Sequence, residues 1–210
     1  DKPDGQFLFL RRTQKQYQLI SNNITNPFIP VIREGMCPEL ITQPIPKTQD
    51  ITAIYRCEFN EEEDKMEPTG EEVGFFSSVL GYHNIRGISM PGVNRIVVDE
   101  FIDEKSSRKV KGEWDSYVNL IESVKRNRFL SDPNAHLKIY LMSNANDLSS
   151  PVLEGLGLVN QAYKMQESGQ MVYVNDRTHI CLIMFQNSPI SQRKSKDPFY
   201  ESLTTDANDD

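Results

Sequence analysis

The stretch Asn94-Arg95-Ile96-Val97-Val98-Asp99-Glu100-Phe101 decides the fold of this 210-residue chain. A continuous apolar run between polar residues predicts a strand that is buried in a sheet. The run ends in two adjacent carboxylates, so the predicted strand carries two acidic side chains to its exit. The residues that neighbouring elements place at the same strand end determine whether these acids have a function.

Two adjacent carboxylates at the end of a strand are one way in which nucleotide hydrolases hold magnesium. The first can bind the Mg²⁺ that bridges the β- and γ-phosphates, and the second can orient and polarise an attacking water. In that case Asp99 is the metal residue and Glu100 the catalytic base. The alternative is structural, because strands often pass into solvent through acidic residues that bind nothing.

A helix and a second strand follow the acidic pair. Glu113–Arg128 is predicted to be an amphipathic helix, because its apolar residues recur every three or four positions. Leu137–Met142 is the next apolar run, so the three elements form a βαβ unit with parallel, neighbouring strands. The exit Ser143–Asn146 is therefore expected beside Asp99 and Glu100, at the edge where open parallel sheets bind ligands. The periodic apolar residues of the helix are Trp114, Tyr117, Val118, Ile121 and Val124.

The amino-terminal part predicts another buried strand and an antiparallel hairpin. Phe7–Leu10 is apolar throughout, and a helix-compatible stretch follows it to Ile20. Five prolines between residues 22 and 46 exclude a long regular element there. Ile51–Phe59 and Val73–Leu80 are strand-like runs on either side of an acidic loop, which predicts a hairpin inserted ahead of the main strand.

The carboxyl-terminal part predicts a second hairpin and a tail. Met171–Val174 and Ile180–Phe185 are joined by a turn-forming sequence, which is typical of a hairpin. Residues 191–210 are polar and end in acidic residues, which indicates a linker or a loosely held terminus. The length before this tail suits one globular domain.

Composition excludes several classes of protein. The formal net charge of −7 argues against a domain that coats nucleic acid over its whole face, although local basic clusters occur. The three cysteines are odd in number and widely spaced, which predicts reduced thiols in a cytosolic setting. No apolar stretch approaches the ~20 residues that span a bilayer, so no membrane contact is expected.

The chain lacks the motif of a phosphate-binding loop. G-x-x-x-x-G-K-[ST] occurs nowhere in the 210 residues. Two explanations compete: the strand that ends in Asp99 is not a nucleotide-binding strand, or the loop lies upstream of residue 1. The first residue is Asp, and an apolar run begins by residue 7, which is typical of a piece of a longer protein.

Four segments resemble the DNA-encapsidation ATPases of small podoviruses, in order and in approximate spacing. The specific part runs from Arg86 to Asn144: DEFI-x-EK, then a helix ending in RNR, then a strand ending in SNA. In that family the phosphate loop precedes the equivalent of FLFLRR, which by itself is not specific. The segments are Phe7–Arg12 (FLFLRR), Gly87–Lys105 (GISMPGVNRIVVDEFIDEK), Val124–Arg128 (VKRNR) and Ser143–Ala145 (SNA).

The resemblance implies an α/β fold of the additional-strand class of P-loop NTPases. Its mostly parallel sheet is flanked by helices and carries an inserted antiparallel hairpin. Residues 1–190 would be the ATPase domain, with the first strand and the phosphate loop missing upstream, and residues 191–210 a linker or disordered tail.

The resemblance also implies cofactors and partners. The family uses ATP and Mg²⁺ and works as a pentameric ring on the portal protein of an empty phage head, in the host cytoplasm. The ring pushes double-stranded viral DNA into the head. In members of the family a nuclease-like domain follows the ATPase domain, and a structural RNA can take part.

Five residues match functional positions of that family. Asp99 resembles the magnesium-site aspartate, and Glu100 resembles the catalytic glutamate. Arg126 matches an arginine that reaches the nucleotide of the neighbouring subunit, and Arg86 lies where a second trans-acting basic residue, usually Lys, is found. Asn144 matches the polar residue that couples the γ-phosphate state to motion.

Structural alternatives remain open for two of these residues. A cation at position 126 also complements the dipole at a helix carboxyl terminus, and an Asn after a strand commonly caps the next segment. For the whole chain, one rival function is a binding or scaffolding module that hydrolyses nothing. Another is a related ring ATPase such as a helicase or a conjugation motor, since a fold does not fix the substrate.

Overall fold

The computed structural model describes residues 5–81, 84, 87–88, 90–102, 110–126, 136–144 and 147–185. The chain divides into two compact units between Val152 and Leu153. The candidate site residue Arg86 and the predicted tail 191–210 lie outside the described residues. No helix in the described part of the chain is long and apolar enough to cross a membrane.

The first unit combines a β-sheet with helices. Its elements are β1 (Gln6–Arg11), α1 (Gln14–Ile20), α2 (Ile29–Arg33), β2 (Leu40–Pro44), β3 (Ile51–Asn60), β4 (Lys65–Ser78), β5 (Val93–Asp99), α3 (Glu113–Lys125) and β6 (Lys138–Met142). The strand order in the sheet is β2-β3-β4-β1-β5-β6. The strands β4, β1, β5 and β6 are parallel, whereas β2 and β3 are antiparallel additions at one edge. The mostly parallel α/β sheet predicted from the sequence is confirmed.

The four parallel strands end in one row. Arg11 pairs with Ser78 of β4 and with Asp99 of β5, and Asp99 pairs with Met142 of β6. Because the strands are parallel and end in the same row, the residues that follow leave the sheet on one side, at its carboxyl edge. Neighbouring strands there lie about 4.8 Å apart. The predicted βαβ unit, from β5 through α3 to β6, is confirmed.

The central strand β1 is buried on both faces. Phe9 belongs to a core cluster with Tyr17 and Ile20 of α1. Leu8 and Leu10 alternate to the opposite face and are fully buried as well. A strand that is covered on both faces takes a continuous apolar run instead of an alternating one, which explains the sequence FLFL.

The predicted hairpin of β3 and β4 is confirmed, but β4 begins at Lys65 and not near Val73. The sequence does not predict the first half of this strand, because that half is charged and polar. Those side chains pair with one another: Lys65 lies 3.0 Å from Glu67, and the Asn60 amide donates to the Glu67 carboxylate. The second half of β4 pairs in parallel with β1, so the hairpin is part of the main sheet.

Two short elements form between residues 22 and 46, where the prolines exclude a long one. The helix α2 has Pro30 in its first two positions, where the missing backbone N–H is tolerated. The strand β2 lies at the sheet edge and ends at Pro44, a position that proline also tolerates.

The second unit contains a helix and the second predicted hairpin, which is confirmed. Its strands pair antiparallel, and one face carries exposed apolar side chains, with Val172 opposite Ile183. The unit boundary falls within the short helix Pro151–Gly155. The elements are α4 (Pro151–Gly155), α5 (Val159–Ser168), β7 (Val172–Asn175) and β8 (Ile180–Ile183).

All three cysteines are free, as the sequence predicts. Cys57 is buried in β3, and burial raises the pKa of its thiol, with the nearby Glu39 carboxylate raising it further. A raised pKa keeps the thiol protonated and therefore poorly reactive.

Candidate functional site

Asp99 and Glu100 lie at the centre of the row in which the parallel strands end. Asp99 is the last residue of β5 and its side chain is 30% exposed, whereas that of Glu100 is 50% exposed. Glu100 has a backbone φ of +59°, in the left-handed region that residues other than glycine seldom adopt. Phe101 and Ile102 are buried directly after it. The sharp turn therefore lifts the Glu100 carboxylate out of the strand while buried residues anchor the chain that follows.

The exits of β5 and β6 are fixed to each other by hydrogen bonds. The Phe101 N–H donates to the Met142 carbonyl (3.3 Å), and the Ile102 N–H donates to Ser143 Oγ (3.2 Å). Asn144 follows directly and is exposed. The exit of β6 therefore lies beside the acid pair, where the sequence places it, and the role of Asn144 stays a prediction.

Arg11 contacts both carboxylates of the acid pair. Its Nη1 atom lies 3.0 Å from Asp99 Oδ2 and 2.8 Å from Glu100 Oε2, and its side chain is only 19% exposed. The Gln16 amide on α1 also donates to Glu100 Oε2, at 3.4 Å. The guanidinium balances the two negative charges and fixes the direction of Glu100.

The sequence gives no role to Arg11, because its contact depends on β1 lying next to β5. These two strands are more than eighty positions apart in the chain, and their pairing leaves no local pattern. The one available signal is an arginine directly after the apolar run Phe7–Leu10, at the end of β1, where a side chain reaches the carboxyl edge of the sheet.

Arg12, the next residue, forms a buried ion pair with Glu113 at the start of α3. Arg12 Nε donates to Glu113 Oε1 (2.6 Å), and Nη2 donates to Oε2 (2.9 Å). The two side chains are 5% and 1% exposed. Such a bidentate ion pair fixes both the position and the orientation of its two side chains. It places the first turn of α3 at the carboxyl edge of the sheet, close to the acid pair.

Arg126 lies at the other end of the same helix. The helix ends at Lys125, and Arg126 is its C-cap, with φ +40° and ψ +48°. Its side chain is exposed, and its Nε donates to the Ser123 carbonyl (3.0 Å). The predicted helix is therefore shorter than Glu113–Arg128, of which residues 127 and 128 lie outside the described residues.

The length of α3 separates Arg126 from the acid pair of its own chain. Arg126 is thirteen positions after Glu113, and a helix rises about 1.5 Å per residue, so the two residues are about 20 Å apart. Glu113 is held at the carboxyl edge of the sheet by Arg12, and the crossover carries the helix back toward the start of β6. Arg126 is thus directed away from Asp99 and Glu100.

The acid pair has the chemistry of a magnesium site. Carboxylate oxygens are the ligands that Mg²⁺ prefers, and its sites often combine one or two carboxylates with substrate phosphates. Among the described residues there is no group of three or more side chains that could enclose a metal ion. Asp99 and Glu100 could supply carboxylate oxygens to a cation, which would compete with Arg11 for them.

Comparison with known proteins finds relatives by structure only. No protein-family model and no curated protein sequence matches the chain. The N-terminal domain of the DNA packaging ATPase from bacteriophage phi29 matches with a TM-score of 0.61 and 22% identity, over 89% of this chain and 78% of that one.

Two larger assemblies match as well. The phi-28 gp11 DNA packaging motor has a TM-score of 0.60 at 16% identity, and the bacteriophage phi-29 genome packaging motor assembly has 0.58 at 22%. The match covers 98% of this chain in both cases, but only 57% and 52% of those chains. The chain thus spans little more than half of their length. The resemblance to phage DNA packaging ATPases is confirmed at the level of the fold.

Proposed function

We propose that this chain is the ATP-hydrolysing domain of a ring motor that drives double-stranded viral DNA into a preformed phage head. One observation carries the proposal: two carboxylates, Asp99 and Glu100, stand at the carboxyl edge of four parallel strands in a chain with the fold of phage packaging ATPases. The motor would dock on the portal protein in the host cytoplasm, as a pentameric ring, and a structural RNA would be a further partner.

The acid pair divides two tasks between its members. Asp99 would hold Mg²⁺, and the ion would supply positive charge against the charge that develops on the phosphates. Glu100 orients a water molecule and accepts its proton, because its carboxylate is the more exposed of the two and is lifted from the strand by the left-handed turn. Arg11 contacts both acids, and a bound cation would compete with it for their oxygens. Asn144, exposed directly after the exit of β6, would contact a phosphate of the nucleotide.

The site would be completed by a neighbouring subunit. Arg126 lies about 20 Å along α3 from the carboxyl edge, so it cannot serve the acid pair of its own chain. Its guanidinium is exposed, as a residue that enters a neighbour's site must be. Hydrolysis would then depend on ring assembly, which allows subunits to act in order.

The open edge of β6 is where we place the strand that carries the phosphate loop. In the part of the chain that the structure describes, the six strands are contiguous, so an added strand can join this sheet only at an edge. Ile139 and Tyr140 point to opposite faces of β6 and are 40% and 47% exposed. An edge strand that exposes apolar side chains on both faces is a ready template for another strand. A segment outside these 210 residues would supply it.

A substitution that introduces a charge into β6 tests this placement. In the longer protein Tyr140→Lys should abolish nucleotide binding, because the lysine would be buried where the phosphate-loop strand pairs with β6. In the 210-residue chain alone the same change should reduce aggregation, since an edge charge blocks strand pairing. The control is Val118→Lys on α3, also partly exposed at 39%. Light scattering and nucleotide titration measure both effects, and unchanged binding in the Tyr140→Lys protein would place the loop elsewhere.

A packaging assay tests the function as a whole. Motors assembled with the full-length protein, phage heads, DNA and Mg²⁺·ATP should make the DNA resistant to added nuclease. Resistance should disappear when ATP is replaced by a non-hydrolysable analogue, because the work comes from hydrolysis. ATP hydrolysis without DNA protection would favour a related ring ATPase, such as a helicase or a conjugation motor.

The missing loop motif favours a second candidate, a binding or scaffolding module without hydrolysis. G-x-x-x-x-G-K-[ST] is absent from the 210 residues. In that case the acids of β5 would be a solvated strand end paired with Arg11, and the full-length protein would neither bind nor hydrolyse ATP.

A further inference from the structure

The buried pair of Arg12 and Glu113 calls for an explanation beyond stability. Removing two charges from water is costly, and a buried ion pair is often no more stabilising than two apolar side chains of similar volume. Yet this pair is almost completely buried, with exposed fractions of 5% and 1%. Its two short hydrogen bonds fix one particular orientation of the partners.

The pair connects two parts of the proposed catalytic machinery. Arg11 contacts Asp99 and Glu100, and Arg12 holds the first residue of α3. The backbone of this dipeptide is itself fixed, because the carbonyls of Arg11 and Arg12 accept hydrogen bonds from the chain that follows β4. The start of α3 is therefore held at a set distance from the acid pair.

Small errors at the start of α3 grow along the helix. A tilt of about 5° at Glu113 would move a point about 20 Å away, where Arg126 lies, by about 2 Å. A misplacement of about 1 Å in a catalytic group can cost roughly 100-fold in rate. The acid pair has its own supports, Arg11 and the hydrogen bonds between the exits of β5 and β6, so it does not depend on this anchor.

We infer that Arg12 and Glu113 are positioning residues for Arg126, and that they serve the active site of the neighbouring subunit and not that of their own chain. The inference rests on the proposed function. The shared site takes Arg126 from one subunit and the acid pair from its neighbour. The inference assigns the buried pair to the subunit that supplies Arg126, although the pair lies next to the acid pair of its own chain.

Mixed rings test the assignment. The variant carries Arg12→Met together with Glu113→Met, which removes both charges and leaves neither one buried alone. Rings made only of this variant should hydrolyse ATP roughly 100-fold more slowly than wild type, with unchanged nucleotide affinity. Mixed with Glu100→Gln subunits, the variant should regain activity, because it keeps an intact acid pair. Mixed with Arg126→Ala subunits, it should stay inactive.

The opposite complementation pattern would overturn the inference. Recovery with Arg126→Ala and none with Glu100→Gln would mean that the pair supports the acids of its own chain. Recovery with neither partner would mean that the pair acts on the fold alone. Two other results would contradict the proposed function itself, and not the inference about Arg12 and Glu113. They are wild-type rings that hydrolyse no ATP, and a failure of Arg126→Ala and Glu100→Gln to complement each other.

Hydrogen exchange gives a readout that does not depend on activity. Amides of α3 should exchange at least 10-fold faster in the double variant, whereas those of β5 should keep their wild-type rates. The matched control is Arg56→Met with Glu71→Met, which removes an ion pair of the same two residue types from the surface of the β3–β4 hairpin, where the side chains are 41% and 39% exposed. The control should change neither the exchange of α3 nor the ring activity. Equal exchange of α3 in the double variant and wild type would contradict the anchoring role.

Discussion

Arg126→Ala should lower the ATPase rate of the assembled ring by about 10³- to 10⁵-fold, the range found for arginines that stabilise phosphoryl transfer in trans. Folding of the single subunit should hardly change. Arg126 is an exposed C-cap whose side chain donates to the Ser123 carbonyl, and a cation there contributes roughly 0.3–1 kcal/mol. ATP affinity should also stay close to wild type, because Arg126 lies about 20 Å along α3 from Glu113, at the opposite end of the helix from the subunit's own acid pair.

The decisive measurement mixes Arg126→Ala with Glu100→Gln under assembling conditions. Each variant alone is inactive, but a mixed ring pairs an intact acid pair on one subunit with an intact Arg126 on the next. Partial activity should return. Lys125→Ala, which removes the adjacent cation from the same helix end, is the control and should keep full activity. If mixed rings form and stay inactive, Arg126 is only a charge at a helix end.

Glu100→Gln should reduce turnover by about 10²- to 10⁴-fold, the usual contribution of a general base. Binding of Mg²⁺·ATP should survive, because the amide keeps the shape of the side chain and the metal is assigned to Asp99. Asp99→Asn should behave differently and weaken the Mg²⁺-dependent part of nucleotide binding itself.

Titrations with and without Mg²⁺, together with single-turnover rates, separate these two effects. Asp115→Asn, which neutralises an exposed acid in the first turn of α3, is the matched control and should change neither quantity. Wild-type turnover in the Glu100→Gln protein would remove Glu100 from the mechanism. Unchanged Mg²⁺ dependence in the Asp99→Asn protein would remove Asp99 from the metal site.

Local patterns in the sequence predict those parts of the fold that local patterns determine. The buried run that ends at Asp99, the periodic helix after Gly112 and the apolar run before Ser143 define the βαβ unit. The first hairpin follows from strand-like runs on either side of an acidic loop, and the second from two such runs joined by a turn-forming sequence. The charged first half of β4 escapes prediction, because its stability comes from cross-strand pairs such as Asn60 with Glu67.

Long-range pairing is what the sequence does not reveal. The insertion of β1 between β4 and β5 creates the contacts of Arg11 and Arg12, and no local pattern identifies their partners. The acid pair could be singled out because both carboxylates are adjacent in the chain. Arg126 could be singled out only through the family resemblance, since a cation at a helix end is common. Arg86 lies outside the described residues.

The left-handed backbone of Glu100 sets stability against activity at a single position. Such a conformation costs a residue with a side chain roughly 1 kcal/mol or more, whereas glycine adopts it freely. A laboratory selection for heat resistance alone would therefore favour Glu100→Gly and would discard the carboxylate in doing so. Among thermostable variants of this protein, those that gain stability at position 100 would be the ones that lose the carboxylate on which the proposed hydrolysis depends.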